Sequence, residues 1–226
     1  MPDYLWWRDG VIYQIYPRSF ADSNGDGVGD LPGITAHLDY LNDGTPNSLG
    51  VDASWLSPIY PSPMRDFGYD VANYHNIDPL FGTLADFDRL LAEAHKRGIR
   101  VIMDMVLNHS SSENPWFQAA LRDTTSPYRP WYRFSPTPRG RGPRGETVWH
   151  RSPVRNEYYY GWFSSEMPDL DYDTPAVREE AKQIATFWLR EMGVDGFRLD
   201  AVEYLVEEGT CLRGCAGTHA LLHEYA

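Results

Sequence analysis

The feature that most constrains the fold is the run Arg100-Val101-Ile102-Met103-Asp104-Met105-Val106, apolar except for one acid after its opening arginine. A strand half-exposed to water alternates apolar and polar residues, so an unbroken apolar run predicts a strand buried on both faces, the condition of a parallel sheet under helices. Just before it, Leu84, Phe87, Leu90, Leu91 and Ala94 fall at helical spacing and predict an amphipathic helix over 84–97. Helix followed by buried strand is the repeating unit of an α/β protein.

A second segment repeats the theme. In Gly196-Phe197-Arg198-Leu199-Asp200-Ala201, strand alternation puts Arg198 and Asp200 on one face and Phe197 and Leu199 on the other. An arginine near a carboxylate favours its charged form, which is what a nucleophilic carboxylate needs. Taken alone, Arg-x-Asp is read as an ordinary ion pair, Asp104 as a cap for a backbone amide and His109 as a core histidine. Two acid-bearing strand ends in one chain favour a site, because parallel α/β folds place their chemistry at the C-terminal ends of strands.

Asp104-Met105-Val106-Leu107-Asn108-His109 and Gly196 to Ala201 resemble two short signatures of the α-amylase superfamily of retaining glycoside hydrolases. Trp6 to Ile34 resembles its α-glucosidase and oligo-1,6-glucosidase branch, and Met167 to Tyr172 a signature of the intermediary α-amylases. The resemblance implies the first half of a (β/α)8 barrel with a subdomain inserted after the third strand. The expected organisation is barrel strands 1–3 over 1–106, the insert over 107–172, and the third barrel helix, fourth strand and following segment over 173–226. Strands are expected at Val11–Tyr16, Val51–Leu56, Arg100 onward and Gly196 onward, with helices at Leu31–Leu41 and Pro175–Met192. Eight strands and about 250 residues make a barrel. The general acid and third carboxylate of the family therefore have no assignment in this sequence, and the 226 residues alone are expected to be inactive and to associate or aggregate.

The resemblance also implies site residues. Asp200 is the nucleophile, with Arg198 keeping it ionised. Asp66, Tyr69, Asp104 and His109 serve substrate binding: Tyr69 as a stacking platform, Asp66 on a hydroxyl of the non-reducing end, His109 on a hydroxyl of the attacked sugar, and Asp104 with Asn108 supporting the geometry. Tyr69 and Asp66 also suit the task by chemistry, since an aromatic face takes the C–H face of a pyranose and carboxylates accept from sugar hydroxyls. Other aromatics, including Trp116, Trp131, Trp149 and Tyr158 to Tyr160, are read as packing.

Asp22-Ser23-Asn24-Gly25-Asp26-Gly27-Val28-Gly29-Asp30 places oxygen donors at alternate positions, with a turn glycine and the Val28 carbonyl, as in the first part of a calcium loop. Gly33 stands where the bidentate glutamate of such loops falls. Asp22, Asn24, Asp26, Val28 and Asp30 are thus expected to hold a structural Ca2+. A formal charge of −12 argues against nucleic acid or anionic membranes as partners. No apolar run is long enough to span a bilayer, and the Met1-Pro2-Asp3 start has no export character, so cytoplasmic residence is the default. Cys211 and Cys215 are expected to be free thiols. The function expected is hydrolysis of α-glucosidic bonds in α-glucans or malto-oligosaccharides. The alternatives are a glucosyl-transferring enzyme such as a trehalose synthase, or a non-catalytic sugar-binding fragment.

Overall fold

The computed structural model describes residues 3–225. Met1, Pro2 and Ala226 lie outside them, and with the first two goes part of the N-terminal stretch read for an export signal. The chain divides into two compact units, 1–61, 75–105 and 186–198 forming one and 62–74, 106–185 and 199–226 the other.

A four-stranded sheet runs in the order β1 (Ile12–Ile15), β2 (Ala53–Leu56), β3 (Arg100–Val106) and the strand Gly196–Asp200. The pairs β1/β2 and β2/β3 are parallel, with Ile15 opposite Leu56 and Leu56 opposite Met103. This is the strand succession of the first half of a (β/α)8 barrel, as expected. Val101 to Val106 are all buried, which explains why the run carries no alternation. Helix Leu84–Lys96 forms as the periodicity predicts, burying Phe87, Leu90, Leu91 and Ala94. Its start is fixed by a capping box: Asp86 N–H donates to Thr83 Oγ1 while Asp86 accepts from Thr83 N–H.

Three elements differ from expectation. The helix expected over Leu31–Leu41 is two short helices, Leu31–Ala36 and Leu38–Leu41. Gly33 lies so close to the Ala21 carbonyl that a Cβ would stand 2.1 Å from it, and the His37 ring bonds the Gly33 carbonyl at 2.8 Å. Tertiary contact and a side-chain bond thus replace helix continuity. The second strand starts at Ala53 because Asp52 turns its carboxylate to the Val11 amide, 2.8 Å away. The helix expected over Pro175–Met192 ends its α-helical part at Thr186 and continues as a π turn, Phe187–Glu191, with Met192 N–H bonded to the Phe187 carbonyl. That wider turn holds fully buried Trp188, whose ring meets Phe87 and Tyr60 edge-on at 5.4 and 5.7 Å.

The second unit carries an antiparallel sheet ordered β4 (Phe134–Ser135), β6 (Tyr158–Tyr160), β5 (Trp149–Arg151). We call Gly196–Asp200 β7. Helix Pro115–Arg122, capped by Asn114, buries Phe117 against Tyr132 and Tyr159 at 5.0 and 4.9 Å. Trp116 stacks on Tyr74 at 5.6 Å and Trp131 is buried beside it, so these aromatics pack. Cys211 and Cys215 form a disulfide, contrary to the expected free thiols. The Glu208–Cys211 turn, closed by two backbone bonds, and Gly214 at φ 61° bring their Cα atoms to 5.9 Å. Among the described residues no helix is long and apolar enough to cross a membrane.

Candidate active site

Two loops and a strand end in the second unit converge on a cavity of about 400 Å³ lined by Asp66, Tyr69, His109, Asp200 and Tyr204, with Phe163, Met167 and Ala201. The first loop is organised by a residue that sequence reasoning left without a role. Asp70, wholly buried, accepts from Ser62 Oγ at 2.8 Å and from the amides of Arg65 and Asp66 at 3.1 Å each. A buried carboxylate needs such partners, and by taking them it bends the backbone that presents Asp66 and Tyr69. The bend is strained: Met64 and Phe67 sit at φ 58° and 52°. Ala201, next to Asp200, sits at φ 46°. These are the non-glycine residues at positive φ among those described, and both loops carrying them line the same cavity. Backbone strain of this kind persists where surrounding structure enforces it, commonly at functional sites.

His109 is almost fully buried, and its Nε2 has no hydrogen-bond partner. Burial lowers its pKa to about 4 against the opposing charges of Asp200 and Asp70, so the ring is neutral at neutral pH. Asp66 shifts the other way, its carboxyl raised first by burial and then by the charges of Asp70 and Asp200. The cavity therefore offers carboxylates, a neutral imidazole with an unsatisfied ring nitrogen and aromatic faces. That set matches a ligand with many hydroxyls and an apolar face.

Asp104 and Arg198 lie in the first unit and do not line this cavity. Arg198 Nη1 reaches both carboxylate oxygens of Asp104, at 3.1 and 3.3 Å, and Trp55 Nε1 donates to the same carboxylate at 3.1 Å. Asp104 is fully buried, and the guanidinium also lies 4.8 Å over the Trp55 ring. The structure thus brings together Asp66, Tyr69, His109 and Asp200, and pairs Asp104 with Arg198.

Phe163, Tyr204 and Asp169 were missed by sequence reasoning. Phe163 meets the His109 ring at 5.4 Å and Tyr204 at 5.5 Å. Nothing in the spacing of either aromatic distinguishes it from packing. Asp169, within the Met167 to Tyr172 signature, is buried and pairs by a β-bridge with His109.

In the Asp22–Asp30 loop, Asp22 Oδ1 accepts from the amides of Asn24 and Gly25 and Oδ2 from Gly27, at 2.7 to 3.1 Å. These amides hold its carboxyl below the usual range. Asn24 and Asp26 accept from the amides of Asp26 and Val28. Asp30 caps helix Leu31–Ala36 through the Gly33 amide at 2.6 Å and takes Ser23 with its other oxygen. Among the described residues no three His, Cys, Asp or Glu side chains cluster around an ion position. The donor set is nonetheless all oxygen, including the Asn24 amide and a backbone carbonyl, which is the chemistry a hard cation takes.

A parallel α/β chain with an aspartate at a strand end beside a cavity lined by carboxylates, an imidazole and aromatic rings has the make-up of the carbohydrate-active enzymes. Residues 14–213 match the model of the alpha-amylase catalytic domain, and the chain belongs to that family. A probable alpha-glucosidase of Rhizobium meliloti is 49% identical over 210 residues, 90% of this chain and 37% of the relative. A trehalose synthase/amylase of Mycolicibacterium smegmatis is 45% identical over 97% of this chain and 37% of its own length. The crystal structure of the trehalulose synthase of Pseudomonas mesoacidophila MX-45 superposes with a TM-score of 0.88 at 38% identity, covering 99% of this chain and 43% of that one. The chain spans about 37% of the length of the curated relatives it matches.

Proposed function

We propose that the chain supplies the nucleophile side of a retaining active site that cleaves α-glucosidic bonds of malto-oligosaccharides or α-glucans. One observation carries the reading: Asp66, Tyr69, His109 and Asp200 line one cavity into which strained backbone presents two of the loops.

In the mechanism, Tyr69 stacks under the glucose ring and Asp66 accepts a hydrogen bond from a hydroxyl at its non-reducing end. Neutral His109 uses Nε2 on a hydroxyl of the same ring. Asp200 attacks the anomeric carbon from the face opposite the leaving oxygen, forming a glycosyl ester as the glycosidic bond breaks. The leaving oxygen takes its proton from a general acid that these residues do not supply. Water deprotonated by the same group then attacks the ester, and two inversions give net retention. Arg198 is assigned to hold the Asp200 carboxylate ionised.

The relatives include a probable alpha-glucosidase and a trehalose synthase/amylase, so transfer to a sugar acceptor is the second reading. The complete catalytic domain carrying these residues, incubated with maltotriose, starch and isomaltose, is expected to release α-configured sugar first, seen by proton NMR before mutarotation. Release of the β anomer, or no release, overturns the reading; conversion of maltose to a non-reducing disaccharide selects the second.

For the Asp22–Asp30 loop we propose a structural Ca2+ held by Asp22, Asn24, Asp26, the Val28 carbonyl and Asp30, remote from the chemistry. Cytoplasmic residence is also proposed. The Cys211–Cys215 disulfide pulls against it, since such bonds persist in oxidising compartments.

A further inference from the structure

We propose that Arg133 is a positioning residue whose cation holds two walls of the sugar cavity in register, through Glu207 on one side and Asp169 on the other. The proposal rests on the cavity reading above and adds to it a residue that touches no substrate.

On the first side, Arg133 Nη1 pairs with Glu207 at 2.6 Å, and Tyr160 donates its hydroxyl to the other Glu207 oxygen at 2.5 Å. The guanidinium also lies 4.1 Å over the Tyr160 ring. Glu207 is three residues past the 3-10 turn Val202–Tyr204 that follows Asp200 and Ala201. A glutamate fastened at both oxygens to the β4–β6 sheet anchors that segment, and with it Tyr204.

On the other side stands Asp169, 1% exposed. Its Oδ1 accepts from Trp162 N–H at 3.0 Å and Asn108 bonds the same carboxyl group, while Oδ2 has no partner. The Asn108 amide in turn lies 3.4 Å from His109 Nδ1, and His109 bridges Asp169 by backbone. Arg133 Nε is likewise buried without a partner. A buried carboxylate with one oxygen unsatisfied is costly as an anion, and a nearby cation lowers that cost. The backbone places Arg133 beside Asp169: Tyr160 N–H donates to the Arg133 carbonyl at 3.0 Å and Asp169 N–H to the Tyr160 carbonyl at 3.2 Å, and although burial works against the Arg133 charge, Glu207 and Asp169 both favour it. The same carboxyl is pushed up to about 7 by burial, with Arg133 opposing and Glu207 adding to the rise. Removing Arg133 leaves the carboxyls of half-buried Glu207 and buried Asp169 without the cation that serves both.

The test uses the complete catalytic domain and two readouts, binding of a hydroxylated piperidine that mimics glucose, by calorimetry, and kcat/KM on an aryl α-glucoside. Arg133→Met is expected to weaken mimic binding at least tenfold at a temperature where circular dichroism shows a folded protein, and Arg133→Lys to stay within threefold of wild type. Arg133→Met combined with Glu207→Met removes one of the two acids left without the cation and is expected to recover part of the melting temperature without recovering binding. A folded Arg133→Met that binds the mimic within twofold of wild type overturns the proposal, as does a double variant that recovers binding together with stability, which marks a packing role. If Arg133→Met does not fold, Glu207→Gln must weaken binding at least threefold, and unchanged binding there overturns it equally. Wild type that binds the mimic but cleaves nothing defeats the functional reading while leaving the positioning test readable.

Discussion

The aspartates of β3 and β7 invite comparison because both stand near the C-terminal end of a strand, Asp104 two residues before Val106 and Asp200 as the last residue of β7, and the structure surrounds them differently. Asp104 is 0% exposed and fully engaged by Arg198 and Trp55. Asp200 is half-buried, lines an open cavity and precedes a residue forced into the left-handed region. A carboxylate sealed inside against a guanidinium and an indole N–H stabilises structure, whereas one at the wall of a cavity can also meet a ligand. What separates them is the company that folding brings, and neighbours distant in sequence do not show in a local motif.

The largest expected effect sharpens this contrast. Asp200→Asn is nearly isosteric but cannot form the glycosyl ester, so in the complete catalytic domain kcat should fall by about a thousandfold or more. The variant should remain folded, checked by circular dichroism, because the amide keeps the size of the carboxylate and one acceptor oxygen. Retention of more than a few per cent of activity in a preparation free of wild-type contamination removes Asp200 from the nucleophile's role.

Asp104→Ala should behave in reverse, with a direct cost to the fold. Breaking a buried ion pair costs about 3–5 kcal/mol. Arg198 keeps 38% of its side-chain surface, which discounts the figure toward about 2–3 kcal/mol because water recovers part of the freed charge. Chemical denaturation measures it. An Asp104→Ala protein with unchanged unfolding free energy but lost turnover breaks the comparison, by putting both acids in the chemistry.

Much of this was legible from sequence. The buried run at β3, the helix over Leu84–Lys96 and the grouping of Asp66, Tyr69, His109 and Asp200 follow from periodicity and family motifs. Asp70 and Asp169 were not legible as organisers, because a carboxylate's importance there comes from amides and side chains that only the folded loops bring near. The split helix at His37 and the π turn at Phe187 escaped for a related reason: each is imposed by a tertiary contact, the Ala21 carbonyl at Gly33 and the pocket around Trp188, that overrides local propensity. The Cys211–Cys215 bond escaped because spacing alone does not reveal a turn stabilised by Gly214.

A pH experiment sharpens the comparison within one wall of the cavity, where His109 and Asp169 titrate against each other. His109 folds with its pKa lowered to about 4, from about 6.5 in the unfolded chain. The unfolded state binds more protons across that window, so this group makes stability rise with pH from about 4 to 6.5. Asp169 folds with its carboxyl raised to about 7, so the folded state binds more protons from about pH 4 to 7 and stability falls as pH rises. Besides burial, the Trp162 amide, Arg133, Glu207 and Asn108 set the level of that carboxyl. The two slopes, each at most about 1.4 kcal/mol per pH unit, oppose one another in the wild type. Asp169→Asn keeps the acceptor oxygen and removes the titration. Its melting temperature should therefore climb with pH from 4 to 6.5 more steeply than that of wild type, then stay level to pH 7.5 where wild type declines. Parallel profiles for the two proteins would assign Asp169 an ordinary carboxyl.

The smallest effect belongs to the Asp22–Asp30 loop, which contrasts with the cavity in committing nearly all its side-chain oxygens to its own amides. The loop already holds its shape through the Asp22, Asn24 and Asp26 bonds, so an ion adds mass-action stabilisation without creating the turn. With calcium at ten times its dissociation constant the gain is about 1.4 kcal/mol, a shift of roughly 3–6 °C for a domain of this size. Chelation should lower the melting temperature by that amount and leave kcat unchanged, and Asp22→Ala should abolish the response to calcium. A calorimetric titration with millimolar calcium showing no uptake, or a chelator that stops turnover without moving the melting temperature, would leave the loop a self-capped turn and return its acids to the ordinary surface.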